Sequence, residues 1–136
     1  MAKEYYNADT YEHALRVASY VAENLMIPEN KLINCIALAI MHDLIEDTEY
    51  SKRARNDLYN STGPVYNEYF FSCLMLLTRT DAESYIDYIK KIKASASKMP
   101  EAYWVKLADM KDHFTEKETL TDALKEKYLN ALPYLL

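Results

Sequence analysis

The chain is expected to fold as an all-α domain, and three features of its 136 residues predict this. It has one glycine, Gly63, and four prolines, too few turn residues for an all-β chain, whose short strands need breakers at close intervals. Its Leu, Ala, Lys and Glu content favours helices. Apolar residues recur with a helical period along most of its length. A chain of this length buries about two-thirds of its extended surface on folding. Residues 1–136 are therefore expected to form a compact single-domain bundle of six or seven helices.

Taken in order, Asp9 or Thr10 is placed to cap a first helix whose core stripe is Ala14, Val17, Ala18, Val21 and Leu25, with His13 and Arg16 beside it. Met26-Ile27-Pro28 breaks that helix, and Glu29 starts a second, apolar nearly all round from Leu32 to Met41, as in a helix enclosed by others. This second helix is expected to end near Asp47-Thr48. Residues 51–60 read as a short polar helix carrying Lys52, Arg53 and Arg55, closed by Ser-Thr-Gly-Pro. Pro64 opens a helix to about Leu77, with Phe70–Leu77 as its buried block. Thr80 and Asp81 are expected to cap a helix from Ala82 to about Ala94, with Tyr85, Ile86, Ile89 and Ile92 inward and Lys90, Lys91 and Lys93 outward. Pro100 and Glu101 begin a helix ending near Phe114, with Asp109 among its apolar residues. The last helix runs from about Leu120 to Leu135 and is amphipathic through Leu120, Leu124, Tyr128 and Leu129.

Cys35 and Cys73 lie in apolar runs with no CxxC spacing, so both read as core thiols rather than disulfide partners. The N-terminal residues lack the apolar stretch of a signal peptide, and no run reaches the ~20 residues that cross a bilayer. A cytoplasmic protein is expected. The net charge of −5 disfavours nucleic acid and anionic membrane as partners. The 13 tyrosines do not alter this, because single-strand grooves pair aromatics with a basic field, and Tyr85, Tyr88, Tyr103 and Tyr128 fall on helical core faces.

Chemistry concentrates where the second helix runs from Cys35 through Met41 into His42-Asp43-Leu44-Ile45-Glu46-Asp47-Thr48. If the helix continues, His42 shares a face with Glu46, and Asp43 with Asp47. Acids at the end of an apolar helix need a proton or a cation to offset their charge. Imidazole beside carboxylate suits a borderline divalent ion. His13 and Asp109, on two other helices, offer the same ligand types from beside apolar faces. Singly, each has a plain alternative: His13 as a packing residue, and Asp109 as a partner of Lys106.

The series His13, His42-Asp43 and Asp109 resembles the HD superfamily of metal-dependent phosphohydrolases, and most of all the hydrolase domains of RelA/SpoT proteins and the small alarmone hydrolases. The stretch His42–Thr48 is similar to their HDxxEDT, and Val105-Lys106-Leu107-Ala108-Asp109 to their VKLAD. The resemblance implies an all-helical fold in which His13, His42, Asp43 and Asp109 hold a divalent ion of the manganese kind. It also implies that Glu46 and Asp47 orient or deprotonate the attacking water. The implied reaction is phosphate-ester hydrolysis on a nucleotide, with guanosine tetraphosphate, cleaved to release its 3′-pyrophosphate, as the first substrate expected. Relatives usually carry Asn four residues after the KLAD aspartate, where this chain has His113, and Arg one turn before the last tyrosine, where it has Leu124 followed by Lys125. Phosphate contacts are therefore expected from Arg16, Lys106 and Lys125, with Tyr128, by family likeness, and His113, which can hydrogen-bond, ligate metal or carry charge, as further substrate contacts. The alternatives are a nucleotidase releasing phosphate from mononucleotides and a non-catalytic HD-like module that binds a nucleotide or protein partner.

Overall fold

The computed structural model describes residues 6–43, 56–57, 60 and 67–136. Within them the protein is all-helical: α1 Ala8–Glu23, α2 Glu29–Met41, α3 Glu68–Leu76, α4 Tyr85–Ala94, α5 Pro100–Thr115 and α6 Asp122–Leu135. The all-α expectation holds. Helix α5 is the centre of the arrangement, packed by α1 and α2 on one side and by α3, α4 and α6 elsewhere.

Helix α1 starts one turn earlier than the sequence suggests, because the side chain of Asn7, rather than Asp9 or Thr10, accepts the Thr10 N–H at 2.8 Å. It stops at Glu23, where Asn24 adopts extended backbone. Leu25 consequently leaves the core stripe and is 98% exposed, while Ile27 turns inward. Ala14, Val17, Ala18 and Val21 are buried as the 3.6-residue spacing predicts.

Helix α2 ends at Met41, six residues short of the expected end, with His42 as its C-cap. The reason is a local exchange of partners. The Ala39 carbonyl, which a continuing helix would give to the Asp43 N–H, accepts instead from His42 Nδ1 at 2.6 Å. The Asp43 N–H donates to the Tyr6 hydroxyl at 3.2 Å. Nor is α2 enclosed on every side: Ile33 is 70% exposed and Ile36, Ala37 and Ile40 are half-buried. The expected continuation through Glu46 and Asp47 to Thr48 lies outside the described residues, as do Lys52, Arg53, Arg55 and Pro64. Asn56 and Asp57, in the stretch expected to form a polar helix, are helical, and the Asn60 N–H donates to the Asn56 carbonyl.

Two further helices are capped later than predicted. Helix α3 begins at Glu68 under an Asn67 cap rather than at Pro64, and α4 begins at Tyr85 under Ser84 rather than at Ala82 under Thr80 or Asp81. In both, the cap oxygen accepts the N–H three residues on, leaving fewer orphan donors at the helix start. Ile89 and Ile92 are fully buried and Lys90, Lys91 and Lys93 are exposed as expected, with Tyr88 joining the core. Helix α5 opens on Pro100 as predicted, and α6 is capped by Thr121, with Leu129 47% exposed. Small residues sit where α1, α2 and α5 meet: Ala14, Ala39 and Ala102 are fully buried and Ala108 nearly so. They let the three backbones approach closely enough for polar side chains of each to converge.

Candidate metal centre

His13 projects from the second turn of α1, His42 and Asp43 from the end of α2, and Asp109 from the middle of α5. One ligand atom from each lies within 4.8 Å of those from the other three. Asp109 Oδ1 is the hub, 2.9 Å from His13 Nε2 and 3.0 Å from His42 Nε2. Asp43 Oδ2 is 3.1 Å from His42 Nε2 and 3.6 Å from His13 Nε2. His42 and Asp109 are almost wholly buried.

Each imidazole is held from behind. His13 Nδ1 is 2.5 Å from Asp112 Oδ2, and a carboxylate only accepts, so Nδ1 carries the proton. His42 Nδ1 likewise donates to the Ala39 carbonyl. Both Nε2 atoms are thereby turned toward the two carboxylates, the tautomer and orientation that metal-binding histidines use. Asp112 is fixed in turn by Arg16, whose Nε and Nη2 donate to it at 2.8 and 3.1 Å. Two imidazole nitrogens and two carboxylates, aimed at one point and braced from outside, fit a divalent cation. The group can hold a metal ion.

Protons and one lysine hold the same charges together. Lys106 Nζ donates to Asp109 Oδ2 at 2.7 Å and is buried, so the pairing with Lys106 and the metal set coexist on one carboxylate. Burial alone would lower both histidine pKa values, but the carboxylates outweigh it. Asp109 raises His13, and Asp43 with Asp109 lifts His42 well above its usual value. Burial would also raise the two acids. Lys106 nevertheless holds Asp109 well below the carboxylate range, and His42 lowers Asp43. Among the described residues, no buried side-chain nitrogen or oxygen lacks a hydrogen-bond partner.

Beside the four residues lies a cavity of about 200 Å³, lined by Asp43 and Asp109, by Lys106, His113 and Tyr128, and by Arg79, Lys127, Tyr85 and Tyr88. His113 Nε2 is 3.3 Å from Asp109 Oδ1, and its ring stacks on both His13 and Tyr128. Burial pushes the Tyr128 phenol up to about 12, so it keeps its proton at neutral pH. Of the residues expected to touch substrate, Lys106, His113 and Tyr128 line this cavity. Arg16 does not: its guanidinium is engaged with Asp112. Lys125 is exposed and is absent from the lining, where its neighbour Lys127 stands. Glu46 and Asp47 lie outside the described residues.

Sequence reasoning missed Asp112, Arg79 and Lys127. Asp112 was within reach, since it lies three residues after Asp109 and so on the same side of α5. Arg79 and Lys127 carry no such local signal.

No protein-family model, no curated protein and no solved structure matches this chain. Among the described residues, no helix is long and apolar enough to cross a membrane.

Proposed function

We propose that the protein is a metal-dependent phosphohydrolase acting on a nucleotide, with manganese as its ion and guanosine tetraphosphate as the first substrate to test. The observation that carries this reading is the convergence of His13, His42, Asp43 and Asp109 from three helices beside a cavity with cationic walls. The motif likeness of His42–Thr48 and Val105–Asp109 supports it. A divalent ion held by the four residues would supply Lewis acidity toward a phosphoryl oxygen and toward the attacking water. The chain's own part is to orient and to neutralise. Asp112 and the Ala39 carbonyl hold the imidazoles, and Lys106 anchors one Asp109 oxygen so that the other faces the site. Tyr128 offers a protonated hydroxyl at the cavity. Glu46 and Asp47 are assigned, on motif likeness, to taking the proton from water.

The test is hydrolysis of a nucleotide panel by the manganese-loaded protein, with the leaving group identified. Release of pyrophosphate from guanosine tetraphosphate is expected, with loss of turnover in Asp109→Asn. Release of orthophosphate from mononucleotides would point to the nucleotidase alternative. A protein that binds no divalent ion and turns over no member of the panel overturns the reading.

A further inference from the structure

We propose that the corner joining α1 to α2, together with the groove between α1 and α5 beside it, is the contact face of a two-fold symmetric homodimer, in which Leu25 and Met26 of each copy enter the groove of the other. This face uses none of the residues assigned to the metal centre or its cavity, and it does not depend on the phosphohydrolase reading. Leu25 and Met26 are 98% and 81% exposed, two consecutive large apolar side chains in water, where a single scattered one would need no explanation. They stand on a tied turn. The Asn24 side chain accepts the Met26 N–H at 2.9 Å, the Asn24 carbonyl accepts the Ile27 N–H at 3.3 Å, and Ile27 is buried. The turn therefore holds Leu25 and Met26 outward, which lowers the entropy lost when a partner covers them.

Asn24 also lines the groove, which has a volume of about 320 Å³. Tyr20 and Val21 of α1 and Trp104 and Leu107 of α5 give it apolar and aromatic walls, while Glu23 and Lys111 give it one charge of each sign. Lys111 Nζ is held 4.4 Å from the centre of the Tyr20 ring, a contact that places the ammonium without cancelling its charge. Among the described residues neither Glu23 nor Lys111 has an ion-pair partner. A protruding apolar pair, a groove beside it and two opposite charges make the patch complementary to itself. A two-fold axis between corner and groove sets Leu25 and Met26 of one copy against the walls of the other, and Glu23 of each copy against Lys111 of its partner. A lipid surface fits less well, because Glu23 and Glu29 flank the corner on a chain of net charge −5. The patch is smaller than the roughly 20–30 residues per side of stable complexes, so a dissociation constant on the order of 10 μM is expected.

The experiment is sedimentation velocity of the full chain from about 1 to 300 μM, with the emission of Trp104, the chain's one tryptophan, read over the same range. A monomer–dimer equilibrium is expected, and covering Trp104 should shift its emission to the blue as dimer forms. Leu25→Glu should weaken the dimer at least about tenfold. Glu23→Lys and Lys111→Glu should each weaken it about tenfold, since each change occurs twice per dimer and sets like charges together. The double reversal should return affinity to within about threefold of the parent. All three positions are exposed, so the variants should keep the parent's thermal midpoint at the lowest concentration. A chain that stays monomeric throughout overturns the dimer, whether or not Leu25 carries it onto lipid vesicles. A dimer indifferent to Leu25→Glu places the contact on another face, and a double reversal no tighter than the single ones rules out the pairing of Glu23 with Lys111.

Discussion

Asp112 does for His13 what the Ala39 carbonyl does for His42, and the two supports predict different sensitivities. Replacing Asp112 by Ala strands the His13 Nδ1 proton and frees Arg16, with no ligand atom removed. Manganese affinity should fall about 10–100-fold, whereas Asp112→Asn, which keeps an acceptor oxygen, should lose less; a metal titration of the two variants separates these outcomes. Proton linkage gives a second prediction. In the metal-free protein both Nε2 atoms face carboxylates, so a metal ion must displace up to two protons, and its affinity should climb with pH until both are gone. The signs of the pKa changes fix the stability window without metal. His13 and His42 are raised, so their contribution is whole below the unfolded value of about 6.5 and is lost as pH rises through the folded values. Asp43 and Asp109 are lowered, so theirs is whole above about 3.9 and is lost as pH falls through the folded values. Thermal midpoints of chelator-treated protein should therefore be highest between about pH 4 and 6.5. Saturating metal should flatten the decline on the alkaline side, and an identical profile with and without metal would count against the site.

Most helix bounds were legible in the sequence to within about a turn, the exception being the end of α2, which falls at Met41 rather than near Asp47-Thr48. Apolar spacing placed most of the inward faces of α1 and α4, since burial at a 3.6-residue period reflects the whole segment. Capping depends on a single side chain, and where several Asn, Asp, Ser and Thr residues cluster, as from Thr80 to Ser84, composition does not choose among them. The hydrogen bonds do. Ser84→Ala should cost about 1 kcal/mol in urea unfolding. Asp81→Ala, at the exposed position that composition favours, should stay within about 0.5 kcal/mol. A reversal of that order would mean that α4 begins earlier than the Ser84 bond indicates. The early end of α2 has a related cause. His42 was read as a helical residue contributing one face, but its ring takes the carbonyl that would have continued the helix. One side chain thus ends the helix and sets which of its nitrogens faces Asp43 and Asp109.

The His13, His42, Asp43 and Asp109 cluster was legible because those residue types are rare in apolar surroundings; the cavity was not, because its cations come from the segment after α3 and from α6, far apart in sequence and joined only by packing. His13, His42 and Asp109 are separated by as many as 96 residues, so a metal ion at their meeting point would join helices from both ends of the chain. The unfolded chain has no such constellation, and binding should act as a staple on the native state alone. At a free-ion concentration a hundredfold above its dissociation constant, the gain is about 2.7 kcal/mol, which for a domain of this size raises the thermal midpoint by roughly 10 °C. Differential scanning calorimetry with and without manganese measures it. Asp109→Asn, which weakens the shared hub, should abolish most of the rise. Lys127→Met leaves the four ligands untouched and should keep it. If the parent's midpoint does not respond to any divalent ion, the charges at the junction of α1, α2 and α5 are balanced by protons and Lys106 alone, and the cluster is a structural network rather than a metal centre.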